Sequence, residues 1–229
     1  MKKNIITLFL ISKIFAVGGF GMYGGPNSSS ILPTSSGGGV VLTPQASSLD
    51  LTVGFFVYVD ALPWVDIDIA WETGFNTYPF SFTVDGVELG EKYDWWAVRE
   101  SKYYTVRKTV IGGGIPFLAK AKVYGGLGFN QHTVSPNISV QFIEDAFPSF
   151  DTVQEAVNQD FSDETVTGDL TDYIDQFQKN VNGFHIQGGL QLKVTALSLF
   201  VNARYTFANE VIEGKSGFTN VWAGLAFGI

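Results

Sequence analysis

The stretch "LFVNARYTFANE", Leu199 to Glu210, decides how this chain is read. Leu199, Val201, Ala203, Tyr205 and Phe207 share one parity; Asn202, Arg204, Thr206 and Glu210 share the other. A sustained period of two makes a strand with one apolar and one polar face. The open question is which solvent each face meets. Arg204 points either to water around a soluble protein or into a barrel whose outer face meets hydrocarbon.

Composition favours the second reading. Of 229 residues, 45% are apolar, 15% aromatic and only 16% charged, and 26 are glycine. An average soluble domain carries about 25% charged residues. Glycine costs about 1 kcal/mol in a helix interior, so this composition suits closely approaching strands. No long apolar run follows the N-terminus, so no helix is expected to cross a bilayer. The absence of cysteine removes disulfides and thiolate metal sites. Ten of the 22 acids, against one of the 14 bases, lie between Glu144 and Lys179. That segment carries the net charge of −8, and the remainder is close to neutral. Without a basic stripe to neutralise phosphates, no nucleic-acid partner is expected. Residues 1–16, with two lysines and the apolar run Ile5 to Ile11, have the layout of a signal peptide, although Lys13 follows the apolar core. Cleavage is expected after Ala16 or Gly19, and residues 17–229 are read as one domain.

Alternation recurs over 17–25, 49–60, 65–76, 103–114, 121–132, 184–192 and 220–229, which with the opening stretch predicts eight strands. Their connections alternate in length. Segments 25–48, 77–102 and 133–182 are long, 61–64, 115–120 and 193–198 are short, and 210–216 is intermediate. Short turns on one side and longer loops on the other are the pattern of an outer-membrane barrel with periplasmic turns and periplasmic termini. About ten residues tilted by ~40° cross the ~25 Å apolar band. The soluble rival, a lipocalin-like barrel, would expose the polar face. That face is rich in Gly, Ala, Asn and Gln and poor in Lys and Glu, whereas soluble surfaces want about 25–35% charge.

In this architecture the chain resembles the small eight-stranded outer-membrane proteins of Gram-negative bacteria, the OmpX, OmpW and OmpA-barrel type. The C-terminal "GLAFGI", with Gly224, Phe227 and Ile229, is similar to the signal that barrel-assembly machinery reads in that family. It departs from the pattern at Trp222, where a polar residue is usual, and in ending on Ile rather than Phe. The resemblance implies an all-β, up-and-down transmembrane barrel, monomeric, with outer-membrane lipid and the assembly machinery as partners.

The polar parity places Asp66, Asp68, Glu72, Arg107, Lys122 and Arg204 in the lumen. An eight-stranded barrel is just wide enough for side chains to fill it, so these charges are expected to pair as a plug that rigidifies the wall. Arg107 and Lys108 are adjacent, so one must face outward unless a bulge intervenes. His132 and His185 are expected opposite one another on adjacent strands at the outer rim. Without a cysteine or fixed carboxylate they make a poor metal site and are expected to hydrogen-bond instead. Ser135 near His132 allows a hydrolase reading, but no nucleophile motif surrounds it; an outer-membrane acyltransferase or hydrolase is the minor alternative.

The acidic segment predicts two short amphipathic helices, over 149–161 and 168–178, which cap the mouth or offer a surface to an extracellular partner. Tyr58, Trp64, Trp71, Tyr78, Trp95, Trp96, Tyr103, Tyr104 and Tyr205 are expected to form two interfacial girdles. The resulting expectation is a non-enzymatic barrel without metal or cofactor, having a structural or surface-interaction role. Porin-like passage of small or hydrophobic solutes is the alternative.

Overall fold

A computed structural model describes residues 18–28, 32–60, 65–88, 93–115, 118–146 and 173–228. The eight barrel strands are β1 (Gly18–Pro26), β4 (Leu49–Val59), β5 (Asp66–Val84), β7 (Tyr93–Ile115), β8 (Ala119–Val134), β9 (Lys179–Val194), β10 (Leu197–Phe207) and β11 (Gly217–Gly228). Each pairs antiparallel with the next, and β1 closes the ring on β11. One continuous row of pairs runs Phe218, Thr206, His185, Gly128, Thr105, Asp68, Tyr58, Gly19, Gly228. It returns to β11 ten residues from where it left, between Phe218 and Gly228. A stagger of this size in eight strands implies a tilt of about 40°.

The faces divide by parity. On β10, Leu199, Val201 and Tyr205 are exposed while Phe200, Asn202, Arg204 and Thr206 are buried. Around the ring the outward set is Phe20, Met22, Val53, Phe55, Val57, Ile67, Val106, Leu127, Phe129, Ile186, Leu190, Val221 and Leu225. A closed barrel with an apolar outer wall and charges inside is stable only with hydrocarbon around it, so this is an eight-stranded transmembrane β-barrel.

The loop end is more ordered than the sequence reading allows. The expected loop 77–102 is mostly strand: β5 continues to Val84, turns at Asp85 and Gly86 (φ 49° and 82°) into β6 (Val87–Glu88), and β7 starts at Tyr93. The expected loop 25–48 contains the hairpin β2 (Ser35–Gly37) and β3 (Val40–Pro44), which pairs on to the extended β5. A helix, α1 (Val140–Ala146), forms where none is expected. Its apolar residues Val140, Phe142 and Ile143 pack with Leu42, Phe80, Phe82 and Trp95 in a second hydrophobic core beyond the barrel wall. The expected helix over 149–161 lies outside the described residues, as do the signal segment and Trp64. Within the second expected helix, 173–177 is helical, and Tyr173 and Ile174 pack on to the same core.

On β7 the alternation holds at the adjacent pair, with Arg107 turned in and Lys108 facing outward, and the strand bulges only beyond them, at Val110. One expectation fails on orientation. The girdle is half-formed: Trp96, Tyr104 and Tyr205 are exposed, whereas Tyr58, Tyr78, Trp95 and Tyr103 are buried. Inward parity gives Tyr58 and Tyr103 to the barrel interior.

Candidate functional site

The lumen is filled with side chains from all eight strands, arranged in two ionic layers separated by rings. Nearer the loop end, Glu72 of β5 has a fully buried carboxylate. Arg99 Nη2 donates to its Oε1 at 2.9 Å, and Oε2 accepts from Arg204 Nη1 at 3.3 Å, Asn220 Nδ2 at 2.9 Å and Tyr23 OH at 3.2 Å. Those donors come from β7, β10, β11 and β1. Both guanidinium groups also lie over rings, Arg204 at 3.7 Å from Tyr103 and Arg99 at 4.2 Å from Phe218. One carboxylate between two arginines leaves a surplus positive charge, which the ring faces partly offset.

Toward the turn end, Arg107 meets Asp68 at 3.2 Å and Asp60 at 3.3 Å, and Lys122 meets Asp60 at 3.0 Å and Asp66 at 2.6 Å. Between the layers lie Phe56, Tyr58, Phe200 and Trp222, in mutual ring contact. The layers are bridged past these rings by Gln187, which accepts from Arg204 Nε at 3.2 Å and donates to Asp68 at 3.4 Å. The polar chain continues above Glu72 through Arg99, Asn27 and Asn76 to Asp50. Side chains therefore touch from one end of the lumen to the other: Asp50, Asn76, Asn27, Arg99, Glu72, Arg204, Gln187, Asp68, Arg107, Asp60, Lys122, Asp66.

All six sequence-derived lumen residues are buried and lie on this chain. Six further members were not singled out from sequence, and two of them, Arg99 and Asp60, make ion pairs in the lumen. Arg99 was masked by assigning 77–102 to a loop, although it continues the parity of Ser101 and Tyr103. Asp60 closes the polar parity of β4 and sits just past its last paired residue.

The histidines are not opposite each other. His132 faces Val181 in register, and His185 faces Gly128. Asn130 links them: His132 Nε2–H donates to Asn130 Oδ1 at 2.9 Å, and Asn130 Nδ2 donates to His185 Nδ1 at 3.3 Å. Ser101 donates to His132 Nδ1 at 2.8 Å, and His185 Nε2–H donates to Thr105 at 3.0 Å, so both rings have both nitrogens engaged. Ser135 is not part of this set. It extends the β7–β8 ladder, its hydroxyl accepting from Val98 N and its own N–H donating to Val98 O, each at 3.0 Å.

No known protein family matches the chain, and no curated protein matches it in sequence. Among solved structures it is similar to the N-terminal β-barrel domain of Pseudomonas aeruginosa OprF, at 9% identity and TM-score 0.48 over 93% of this chain and 97% of that one. It is also similar to the outer membrane protein OprG of the same organism, at 13% identity and TM-score 0.44 over 93% of each chain. A third, Neisserial surface protein A, matches at 10% identity and TM-score 0.35 over 92% of this chain and 96% of that one. At these identities the likeness is one of fold alone.

Proposed function

We propose that this chain is a non-enzymatic barrel of a Gram-negative outer membrane. Its sealed lumen serves as a rigid mount for the folded module at the loop end, which meets a partner outside the cell. The observation that carries the reading is the combination of a charge-paired lumen with a second hydrophobic core beyond the wall. A conducting barrel gains nothing from an apolar core of α1 and Trp95 at its loop end, whereas a display scaffold needs one to hold its loops. The acidic segment between Glu144 and Lys179 starts on α1 and favours a partner with basic character. In this reading the short turns and both termini face the periplasm, the C-terminal strand is read by the assembly machinery, and the barrel works as a monomer.

Passage of small solutes is the second reading. It is favoured by one observation: buried lumen polar atoms of Asn202, Gln191 and Asn220 have no hydrogen-bond partner among the described residues. Planar-bilayer recordings and liposome-swelling assays on the pure full chain test both. A sealed scaffold gives no solute flux above empty liposomes, while robust, reproducible flux removes the sealed-lumen reading.

A further inference from the structure

The turn-end mouth of the lumen has a charge arrangement that the ionic layers do not use. Lys120 of β8 stands directly opposite Lys193 of β9, and Lys122 lies two residues along the same inward face. Like charges directly opposite in a sheet are destabilising. Nearby acids relieve the pair only in part: Asp60 attracts Lys193 across the mouth without pairing with it. Asp60 spends one oxygen on Arg107 and the other on Lys122, Asp66 is held by Lys122, and neither Lys120 nor Lys193 makes an ion pair among the described residues.

The bulge at Val110 sets glycines of β7 beside two of these lysines. By shifting the register of β7 it sets Gly112 opposite Lys122 and Gly114 opposite Lys120. The facing strand therefore presents no side chain there, and a Cβ at Gly112 would lie 3.2 Å from Lys122 Cβ. At this mouth lies a cavity of about 90 Å³ lined by Asp60, Lys120, Lys122, Gln191 and Lys193. That equals about three waters at their liquid volume of ~30 Å³ each, room for one compact oxyanion. Gln191 is 2% exposed; its Nε2 donates to Ser198 and its Oε1 has no partner. Because both carboxylate oxygens of Asp60 are already engaged, the free donors lining the cavity are ammonium groups.

We infer that this mouth is a binding site for a phosphate-type oxyanion, held between Lys120 and Lys193 with Lys122 behind them. The anion relieves the opposed lysines and closes the lumen's turn end. It can come from a free phosphate in the adjoining compartment or from a lipid headgroup at the rim. The site requires neither the sealed-scaffold reading nor its partner.

The test uses the full chain in phosphatidylcholine nanodiscs, titrated with inorganic phosphate by calorimetry against sodium chloride at matched ionic strength. Saturable phosphate binding is expected, weakened at least tenfold in Lys120→Gln/Lys193→Gln and unchanged in Lys108→Gln, whose lysine faces outward. A second readout separates a site from simple charge loss. In phosphate-free, low-salt buffer the double variant should unfold at higher urea than the parent, and in saturating phosphate the order should reverse. Nanodiscs containing phosphatidylglycerol distinguish the sources: abolished titration there assigns the site to a headgroup, and unaltered titration to the free anion. Chloride matching phosphate, or binding retained in the double variant, overturns the inference.

Discussion

Glu72 sits where five strands meet chemically, and its removal should be strongly destabilising. Glu72→Ala would leave Arg99 and Arg204 buried without their carboxylate, which costs about 3–5 kcal/mol. Urea unfolding in lipid vesicles should show that loss. A smaller effect of opposite sign is expected at Thr195, a β-branched residue held at φ 53° in the turn joining β9 to β10. Such a conformation is a strained one for threonine, so Thr195→Gly should stabilise the barrel by about 1 kcal/mol in the same assay. At this scale the sequence revealed which side chains face inward, because parity is local. It did not reveal who pairs with whom. The donors on Glu72 stand between 27 and 148 positions away, and only register brings them together.

Strands were legible wherever one face met hydrocarbon and the other the lumen, as in β10 and β11. Beyond the wall that contrast disappears. From Asn76 onward β5 is covered on both faces, so its alternation fades and 77–102 reads as irregular. A usable signal was still present: Asp85–Gly86 between Val84 and Val87 is the dipeptide that favours a two-residue hairpin turn. Helix α1 was harder to see. Its seven residues are too few for a clear helical period, and packing on β2 and β3 rather than propensity holds it. Phe142 contacts Trp95 at 5.0 Å and Tyr173 at 4.8 Å between ring centroids. Truncating a buried phenylalanine costs about 3–5 kcal/mol, and here the loss should fall on the loop-end core alone. For Phe142→Ala, limited proteolysis should cut within 133–178 much faster, while the barrel keeps its heat-modifiable gel mobility.

For the molecule as a whole, the claim with the widest reach is that the outer wall meets lipid. Val201, on the outward face of β10, is 44% exposed. Val201→Arg should destabilise the folded barrel in vesicles by about 2–4 kcal/mol, as a cation at the bilayer midplane does. A surface position in water would tolerate the change within ~0.5 kcal/mol, so an unchanged unfolding midpoint would remove the transmembrane assignment. The position of Glu72 has one more consequence. Its donors Tyr23 and Asn220 come from the first and last strands, the pair whose zipping completes the cylinder. Parting that join would tear both from the carboxylate and bare two guanidinium groups to acyl chains. A greasy molecule that entered from above would therefore find no sideways door, and the join should stay shut for the lifetime of the folded protein.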